Sequence, residues 1–352
     1  MMTLPTEAIR RLHNMLAAAS KPVIITHMKP DGDAIGSSMG MYHMLHDIYS
    51  SDAKVAIADP APGYLDFLLP DEVKEDIFIY GQRPEETEAT ILGSDLIICL
   101  DFNAFYRTDT LCGILEASQA DKILIDHHLS PDKEKFALVF SVQDISSASE
   151  LLYHILLHLP SIDGKPSNLP GQAATALLTG MTTDTNNFAN STYPSTFEMA
   201  SRLIEAGVDR DTILSKLYNR SKESRLRLQG HVLKDLMTIT EDGVAYIVLD
   251  METMRKYNVE EGDTEGFVNL PLSIDKVLMS ILAKEDKEYI RISIRSKKGI
   301  SANSCSRRYF NGGGHENAAG GRLYMPENIS DIRQAGKYIE DHTHIFMNEK
   351  QI

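Results

Sequence analysis

The sequence has little positive charge, little cysteine and no long apolar run. Its 352 residues carry 35 Lys and Arg against 50 Asp and Glu, a net charge of −15 with histidine neutral. Binding along a phosphate polymer requires clustered Lys and Arg, so this balance argues against a protein that coats long nucleic acid. The three cysteines form no CxxC pair, which argues against a disulfide framework or a zinc knuckle and favours a reducing cytoplasm.

No stretch of the sequence is apolar for long enough to cross a bilayer. Residues 1–20 have the pattern of an amphipathic helix rather than the apolar core of a secretory signal. Hydrophobic residues make up 43% of the chain and charged residues 24%, as in ordinary globular proteins. We therefore expect a cytoplasmic protein of two domains that does not bind membranes.

Short apolar runs alternate with helical patterns in the first part of the chain. Such runs are typical of strands buried in a sheet, and they occur at 22–26, 54–58, 95–100, 122–125 and 137–141. Helical periodicity occurs at 34–48, 147–159, 171–181 and 194–207. This alternation predicts an open, mostly parallel α/β sheet.

A charged helical segment at about 209–238 precedes a second region that is rich in strand patterns. The apolar runs of this region are 243–250, 276–286 and 288–296. The predicted organisation is a first domain at 1–205, a helical linker at 206–240 and a smaller second domain at 241–352.

Acidic and imidazole side chains follow three of the predicted strands. His27, Asp31 and Asp33 come after the first strand, Asp101 after the third, and the Asp-His-His segment 126–128 after the fourth. Ligands of open α/β sheets bind at the carboxyl ends of strands, so these side chains are expected to converge. Carboxylates that are packed together repel one another and raise one another's pKa, which predicts a positive group among them.

Metal ions are the simplest positive groups for such a cluster. Histidine and carboxylates without a thiolate suit Mn²⁺, Mg²⁺ or Fe²⁺ better than a structural zinc. Two ions about 3.5–4 Å apart would share a carboxylate and could activate a water for attack at phosphorus. Six candidate ligands are present: His27, Asp31, Asp33, Asp101, His127 and Asp184.

Each piece of this pattern also has an ordinary structural explanation. The segment 31–33 is typical of a turn, and Asp33 could be the N-cap of the helix at 34–48. Because the pieces occur together, a site is the better interpretation. Gly32, Gly36 and Gly40 do not form a GxGxxG dinucleotide fingerprint, and close helix–sheet packing is the expected reason for them.

The second region has a different chemistry. The segment 291–308 holds six basic residues and no acid, and three glycines followed by His315 come shortly after it. Glycines let backbone N–H groups approach an anion closely, and histidine can donate to a phosphate. A flexible hairpin is the alternative. Beside the basic run, a site that anchors phosphate is the preferred interpretation.

Five segments together resemble the motifs of a known superfamily. They are THMKPDGDAIGS (26–37), LDFN (100–103), IDHH (125–128), TTDTNNF (182–188) and NGGGHENAAGG (311–321). In this order they resemble the DHH phosphoesterases with a C-terminal DHHA1 domain. The similarity is greatest to the small two-domain bacterial members of the nanoRNase (oligoribonuclease) and pAp-phosphatase type, often labelled exopolyphosphatase-related.

The resemblance implies an N-terminal parallel-sheet DHH domain and a smaller C-terminal α/β DHHA1 domain, with the active-site cleft between them. It implies two Mn²⁺ per active site, with Mg²⁺ as an alternative. The implied ligands are His27, Asp31 and Asp101 for one ion, and Asp33, Asp101, His127 and Asp184 for the other. Asp101 would bridge the two ions.

The resemblance also implies roles for residues that are not metal ligands. His128 would contact the scissile phosphate, and Asp126 would orient the imidazoles. The implied substrate-binding residues are Arg295, Gly312, Gly313, Gly314 and His315. The family commonly has Asp-Thr-Gly where this chain has Asn186 as the third residue, and asparagine tolerates the left-handed backbone that glycine supplies.

The predicted function is that of a Mn²⁺-dependent phosphoesterase, and the resemblance implies a homodimer. It would hydrolyse short oligoribonucleotides from one end and remove a phosphate from 3′-phosphoadenosine 5′-phosphate (pAp). One alternative is a phosphodiesterase of linear or cyclic di-AMP. Another is a polyphosphate or pyrophosphate hydrolase, although family II pyrophosphatases lack the GGGH-type domain. A catalytically dead nucleotide-binding regulator is expected to have lost ligands, whereas all six are present here.

Overall fold

The computed structural model describes residues 2–219, 222–260, 262–287 and 289–349, and only the backbone of His315. The chain forms two compact units, 1–220 and 221–352. The predicted domain bounds themselves stay predictions. Within the described ranges, none of the helices combines the length and the hydropathy that a membrane-spanning helix needs.

A six-stranded parallel sheet lies at the centre of the first unit. Its order is β3-β2-β1-β4-β5-β6. The strands are β1 (Pro22–Ile25), β2 (Lys54–Ile57), β3 (Ile77–Ile79), β4 (Leu96–Leu100), β5 (Asp121–Asp126) and β6 (Leu138–Ser141). The chain reverses its direction across the sheet between β1 and β4, which makes the gap between these strands a topological switch point.

Both faces of this sheet are buried, which explains why its strands have continuous apolar sequences. Ile24 and Ile98 belong to the core on one face, and Val23 and Ile97 belong to the core on the other. The predicted parallel α/β sheet is therefore confirmed. The three-residue strand β3 was not predicted, because only Ile77 of its residues is buried.

Nine helices surround the sheet in the described part of the first unit. They are α1 (Thr6–Ala18), α2 (Gly32–Asp47), α3 (Asp71–Lys74), α4 (Pro84–Leu92), α5 (Cys112–Ala117), α6 (Ala148–Leu157), α7 (Gly171–Asp184), α8 (Pro194–Glu205) and α9 (Arg210–Tyr218). Helix α2 carries Asp33 in its first turn, and helix α7 ends at Asp184.

Helices α2 and α7 approach each other closely at their glycines. A Cβ on Gly36 would lie 2.6 Å from the carbonyl oxygen of Ala176, and a Cβ on Gly32 would overlap the side chain of Thr183. The glycines of α2 therefore serve helix–helix packing, and the expected helix–sheet packing is wrong. Without side chains at these positions, the N-terminus of α2 can lie beside the C-terminus of α7.

The second unit is built on a six-stranded sheet of order β11-β12-β10-β9-β8-β7. Its strands are β7 (Met237–Ile239), β8 (Val244–Leu249), β9 (Met279–Glu285), β10 (Tyr289–Ser296), β11 (Gly313–His315) and β12 (Ala318–Tyr324). The β8–β9 pair is parallel, and the other neighbours are antiparallel. The helices of this unit are α10 (Glu223–His231), α11 (Met251–Lys256), α12 (Ala302–Tyr309) and α13 (Ala335–Glu349).

Helices α12 and α13 cover one face of this second sheet. Their residues Cys305 and Ile339 share a core with Ile292 and Ile294 of β10. The smaller C-terminal α/β domain is therefore confirmed. One local prediction differs from the structure, because the strand expected from 276 begins at Met279. The glycine-rich segment forms the β11–β12 hairpin, and its role as a site that anchors phosphate stays a prediction.

Candidate metal centre

The switch point of the first sheet brings the predicted ligands together. His27 and Asp31 follow β1, Asp101 follows β4, and His127 follows β5. Asp184 arrives from outside the sheet, as the last residue of α7. Three groups of these side chains have ligand atoms within 4.8 Å of one another and could hold a metal ion.

The first group contains His27, Asp31 and Asp101. The Nε2 atom of His27 lies 3.4 Å from Oδ2 of Asp101 and 3.8 Å from Oδ1 of Asp31. The opposite ring nitrogen, Nδ1, lies 2.8 Å from the carbonyl oxygen of Met28. By donating to this carbonyl, Nδ1 orients the ring so that Nε2 faces the acids.

The second group contains Asp33, His127 and Asp184. The Nε2 atom of His127 lies 3.7 Å from Oδ2 of Asp184 and 4.0 Å from Oδ2 of Asp33. It also lies 3.4 Å from Oδ1 of Asp101. The two oxygens of Asp101 therefore face the two different groups, as a bridging carboxylate requires. The third group joins Asp101 and His127 to His128.

Two helix N-termini hold the acids of the α2 segment. The backbone N–H groups of Ala148 and Ser149, at the start of α6, donate to the two carboxylate oxygens of Asp33 over 2.6 and 2.9 Å. Asp31, rather than Asp33, is the N-cap of α2, and it accepts from the N–H groups of Asp33 and Ala34. The alternative in which Asp33 caps this helix is therefore wrong. Asp33 is buried, whereas Asp31 is exposed.

Asp126 orients His128. The Nδ1 atom of His128 donates to Oδ1 of Asp126 over 2.7 Å, and Asp126 is fully buried. The His128 side chain is 36% exposed, so its other nitrogen can reach a ligand. Asp126 was expected to orient the imidazoles of both His127 and His128. In the structure it forms a hydrogen bond with His128.

Protons on the imidazoles balance the acids of the cluster. Burial acts to lower the pKa of both rings, but Asp101 and its neighbours outweigh burial and raise the pKa of His27 and of His127 to about 10. Burial acts to raise the pKa of Asp101, but the attraction of the two nearby rings, His127 and His27, lowers it to about 2. For Asp184, burial prevails over the attraction of His127 and raises the pKa to about 6. Divalent cations could replace these protons.

The donor set fits divalent metal ions. Among the described residues, Asp101 Oδ1 is one of the buried side-chain oxygens without a hydrogen-bond partner, and Asp101 belongs to two of the groups that could hold a metal ion. A buried carboxylate oxygen without a partner is costly unless a cation faces it. The surrounding donors are imidazole nitrogens and carboxylate oxygens, which suit Mn²⁺ and Mg²⁺. The roles of these residues as ligands stay predictions.

The hydrogen bonds that hold Asp33 were not predicted from the sequence, although a local signal was present. Ser147 is the N-cap of α6 and accepts from the N–H of Glu150, three residues later. A serine followed by glutamate at this spacing, before an apolar run, is the signature of a helix N-terminus. That N-terminus supplies the two N–H groups that bind Asp33.

The loop after Asp184 has the backbone that was expected for asparagine. Asn186 has φ 46°, in the left-handed region, and so do Asn187 at 56° and Phe188 at 67°. The substitution of asparagine for the glycine of the family is therefore compatible with the loop.

In the second unit, the backbone register aligns two of the predicted substrate-binding residues. Arg295 on β10 pairs with Ala318 on β12, which pairs with His315 on β11. The side chain of His315 lies outside the described residues. Arg295 lines a cavity of about 210 Å³ together with Lys284, Arg291 and residues of the 262–268 segment. Burial lowers the pKa of the Arg295 guanidinium.

The basic residues of the run 291–308 have different surroundings. Lys297 donates to two backbone carbonyls, of Ile274 and Asp275, and Arg308 pairs with Glu349. Lys284 was not predicted, because it lies outside the basic run in sequence. The β9–β10 register places it directly opposite Arg291. The cationic wall of the cavity thus comes from two neighbouring strands.

Two of the three predicted substrate-binding glycines have a packing reason to be glycine. A Cβ on Gly312 would overlap the carbonyl oxygen of Gly320, and a Cβ on Gly314 would lie 2.6 Å from the carbonyl oxygen of Ala318. Gly313 has no comparably close neighbour. Substrate binding by the three glycines stays a prediction.

Comparisons with known proteins agree with the motifs. The model of the DHH family, N-terminal domain, matches residues 21–181, and the model of the DHHA1 domain matches 242–339. The chain is 30% identical over 324 residues to the bifunctional oligoribonuclease and PAP phosphatase NrnA of Thermus thermophilus, which covers 90% of this chain and 89% of that protein. Its identity to the NrnA of Bacillus subtilis is 27% over 306 residues, 86% and 89% of the two chains.

A solved structure is similar over the full length of both chains. It is an exopolyphosphatase-related protein from Bacteroides fragilis, with 36% sequence identity and a TM-score of 0.88. These similarities confirm the resemblance that the five motifs indicated. The chain therefore belongs to the DHH–DHHA1 family of phosphoesterases, which are hydrolases of phosphoric esters.

Proposed function

We propose that the protein hydrolyses short oligoribonucleotides from one end and removes a phosphate from pAp, with two Mn²⁺ ions per active site. The observation that carries this proposal is Asp101, whose two oxygens face His27 and His127 at the switch point of the sheet. The relatives named as oligoribonucleases and PAP phosphatases support the choice of substrates. The net charge of the chain, −15, supports short substrates, because an acidic protein repels the phosphates of a long nucleic acid.

The residues that would hold the two ions are the two groups that share Asp101. His27, Asp31 and Asp101 would form one site, and Asp33, Asp101, His127 and Asp184 the other. When bound, two such ions deprotonate a water and neutralise the charge of a phosphate that is attacked in line.

The other residues act on the substrate. His128 contacts the scissile phosphate with the nitrogen that Asp126 leaves available, and the bond to Asp126 keeps the ring in one orientation. Arg295, His315 and the glycines 312–314 bind a phosphate or base at the far end. The bonds from Ala148 and Ser149 keep Asp33 in place during turnover.

The test is a substrate panel with purified, metal-stripped protein to which Mn²⁺ or Mg²⁺ is returned. The panel contains RNAs of two to five nucleotides, pAp, linear and cyclic di-AMP, and polyphosphate. We expect the highest kcat/KM on short RNA and pAp, and more activity with Mn²⁺ because imidazole ligands favour it over Mg²⁺. A clear preference for cyclic di-AMP or polyphosphate would replace the proposed substrates, and higher activity with Mg²⁺ would refute the metal choice.

A further inference from the structure

Two phenylalanine rings lie stacked at the surface of the first unit. The ring centroids of Phe188 and Phe197 are 5.1 Å apart, and their planes differ by 7°. Phe188 is half-buried against the core, whereas Phe197 is 58% exposed. An exposed ring at the end of a stack presents a flat apolar face to solvent, and such a face suits another flat ring.

The chain places this pair close to the candidate metal centre. Phe188 comes four residues after Asp184, and four residues span at most about 14 Å even when fully extended. Here the segment is folded back on the end of α7. The N–H of Asn187 donates to the carbonyl of Thr182 over 2.8 Å, and the N–H of Phe188 donates to Oγ1 of Thr185 over 3.1 Å. The backbone of Phe188 is therefore within about 14 Å of Asp184, a separation on the scale of a short oligonucleotide.

The backbone of this loop is strained. Phe188 has φ 67°, a left-handed conformation that is an outlier for a bulky aromatic residue. Such conformations persist where the surroundings fix them, and they cluster at ligand-binding sites. In this loop, Thr182 and Thr185 fix the conformation that turns the Phe188 ring onto Phe197.

The side chain of Arg210 lies beside the two stacked rings. The Arg210 guanidinium lies 5.7 Å from the centroid of the Phe188 ring, and its Nη2 atom donates to Oδ1 of Asn187 over 2.6 Å. Guanidinium offers five N–H donors, so others remain for a ligand. The described residues include no carboxylate that forms an ion pair with Arg210. Phe188, Phe197 and Arg210 are together called the aromatic platform.

We propose that the aromatic platform is a subsite for a nucleobase of the substrate. A base stacks on the exposed face of Phe197, and Arg210 binds the phosphate next to that base. Every base has a π-face, so stacking of this kind accepts any sequence. The inference rests on the proposed function in one respect, namely that the substrate is a nucleotide. It adds a binding site in the first unit to the residues predicted in the second.

The absence of tryptophan from the chain allows a direct binding test. In Phe197→Trp, the introduced indole is the only one in the protein, and its fluorescence reports stacking without turnover. The probes are adenosine 5′-monophosphate and ribose 5-phosphate, which differ in the base. We expect the first to quench the indole with a saturable curve and the second to leave it unchanged.

Kinetics on a diribonucleotide provide the second test. Phe197→Ala and Phe197→Leu should raise KM about five- to hundredfold, the range that corresponds to losing one base stack. Their kcat should stay within about twofold, because binding rather than the chemical step is affected. Arg210→Gln should also raise KM. Ile204→Ala is the matched control, since Ile204 lies two turns along the same helix and is 45% exposed; it should leave KM unchanged.

Three results would overturn the subsite. One is an unchanged KM in both Phe197 variants together with no quenching by the monophosphate, while short RNA is still cleaved. Another is equal quenching by ribose 5-phosphate. The third is a lower sedimentation coefficient in both Phe197→Ala and Ile204→Ala, which would make this face a contact between copies of the chain. If the wild type cleaves no RNA, the proposed function fails, whereas the quenching experiment still decides the subsite.

Discussion

At the scale of single residues, the site depends on how one carboxylate is shared. Asp101 faces His27 with one oxygen and His127 with the other, and its Oδ1 lacks a hydrogen-bond partner in the described part of the chain. Its backbone is left-handed, with φ 63°, which is uncommon for a residue with a side chain. Strain of this kind is typical of functional positions.

Asp101→Ala should reduce kcat by more than about a thousandfold, because catalytic groups that act as a unit fail together. The protein should stay folded but lose some stability, since the Asp101 carboxylate pairs with the imidazoles of His27 and His127 and its pKa is lowered in the folded state. Circular dichroism and turnover with Mn²⁺ measure the two effects. Asp163→Ala, which removes an exposed carboxylate, is the control and should match the wild type in its circular dichroism spectrum and in its turnover. Normal Mn²⁺-dependent turnover by a folded Asp101→Ala protein would rule out the shared carboxylate.

His128→Ala should behave differently from the ligand variants. We expect it to bind two Mn²⁺ ions, as measured by calorimetry, and to lose turnover, because His128 is predicted to contact the phosphate. Asp126→Asn should retain metal binding and have an intermediate activity, since the bond to His128 Nδ1 is weakened but the ring remains. Loss of both ions in His128→Ala would mean that the roles of His127 and His128 are exchanged.

At the scale of helices and strands, α6 anchors the site from outside the sheet. Its first two N–H groups bind Asp33, and Glu150 in the same turn is fully buried. The Glu150 carboxylate accepts hydrogen bonds from the hydroxyls of Ser146 and Thr196. This network connects the start of α6 to the start of α8.

Glu150→Gln should lower the free energy of unfolding by about 1–3 kcal/mol at pH 7, the usual contribution of hydrogen bonds to a charged group. Burial acts to raise the pKa of Glu150, but the nearby His154 imidazole and the hydrogen bonds from Ser146 and Thr196 outweigh it and lower the pKa. The stabilisation is therefore present above the unfolded pKa of about 4.3 and is lost as the pH falls through it and the lower folded value.

Urea denaturation of the wild type and of Glu150→Gln at pH 7, 5 and 3.5 measures this dependence. The difference between the two proteins should be largest at pH 7 and should shrink toward pH 3.5. A difference that stays constant over this range would contradict a charged Glu150 in the folded protein.

The close contact between α2 and α7 leads to a separate prediction about stability and metal binding. Gly36→Ala should destabilise the protein by about 1–3 kcal/mol, the usual cost of overpacking, because its Cβ would meet the backbone of Ala176 and Gly180. It should also weaken Mn²⁺ binding, since the helices that carry Asp33 and Asp184 are forced apart. Gly113→Ala, in α5 with open space around it, is the control and should not be destabilising. Thermal unfolding and calorimetry compare the two.

At the scale of the whole molecule, charge sets the expected substrate length. The chain carries a net charge of −15, and the cavity of the second unit offers Lys284, Arg291 and Arg295 as its cations. Phosphate contacts raise affinity only where a cation meets them, and each contact adds a salt-sensitive contribution. Nucleotides that do not contact one of these cations add repulsion between their phosphates and the acidic protein, and they add little attraction.

Efficiency should therefore be greatest for RNAs of about two to five nucleotides and should fall on a 24-mer. Arg295→Ala should raise KM on short RNA while both metals stay bound. A series of RNA lengths at fixed salt, with kcat/KM for each, measures the trend. Equal efficiency on a 3-mer and a 24-mer would favour a processive exonuclease instead.

Local sequence patterns determined five of the six strands of the first sheet and the acids at the ends of three of them. Strands β1, β4 and β5 are buried on both faces, so each is a continuous apolar run that single-sequence reasoning can recognise. His27, Asp101 and His127 follow such runs directly. Their convergence could be expected because the carboxyl ends of parallel strands lie along one edge.

Only the tertiary structure decided which of these ends lie next to each other and what supports them. The β1–β4 pairing, the contact of Gly36 with α7 and the bonds from α6 to Asp33 all join residues far apart in the sequence. The basic run 291–308 shows the reverse, because Arg291 and Arg295 line the cavity with Lys284 of the neighbouring strand, whereas Lys297 donates to backbone carbonyls and Arg308 pairs with Glu349. Periodicity is a local property of the chain, whereas register and helix packing depend on which distant surfaces fit together.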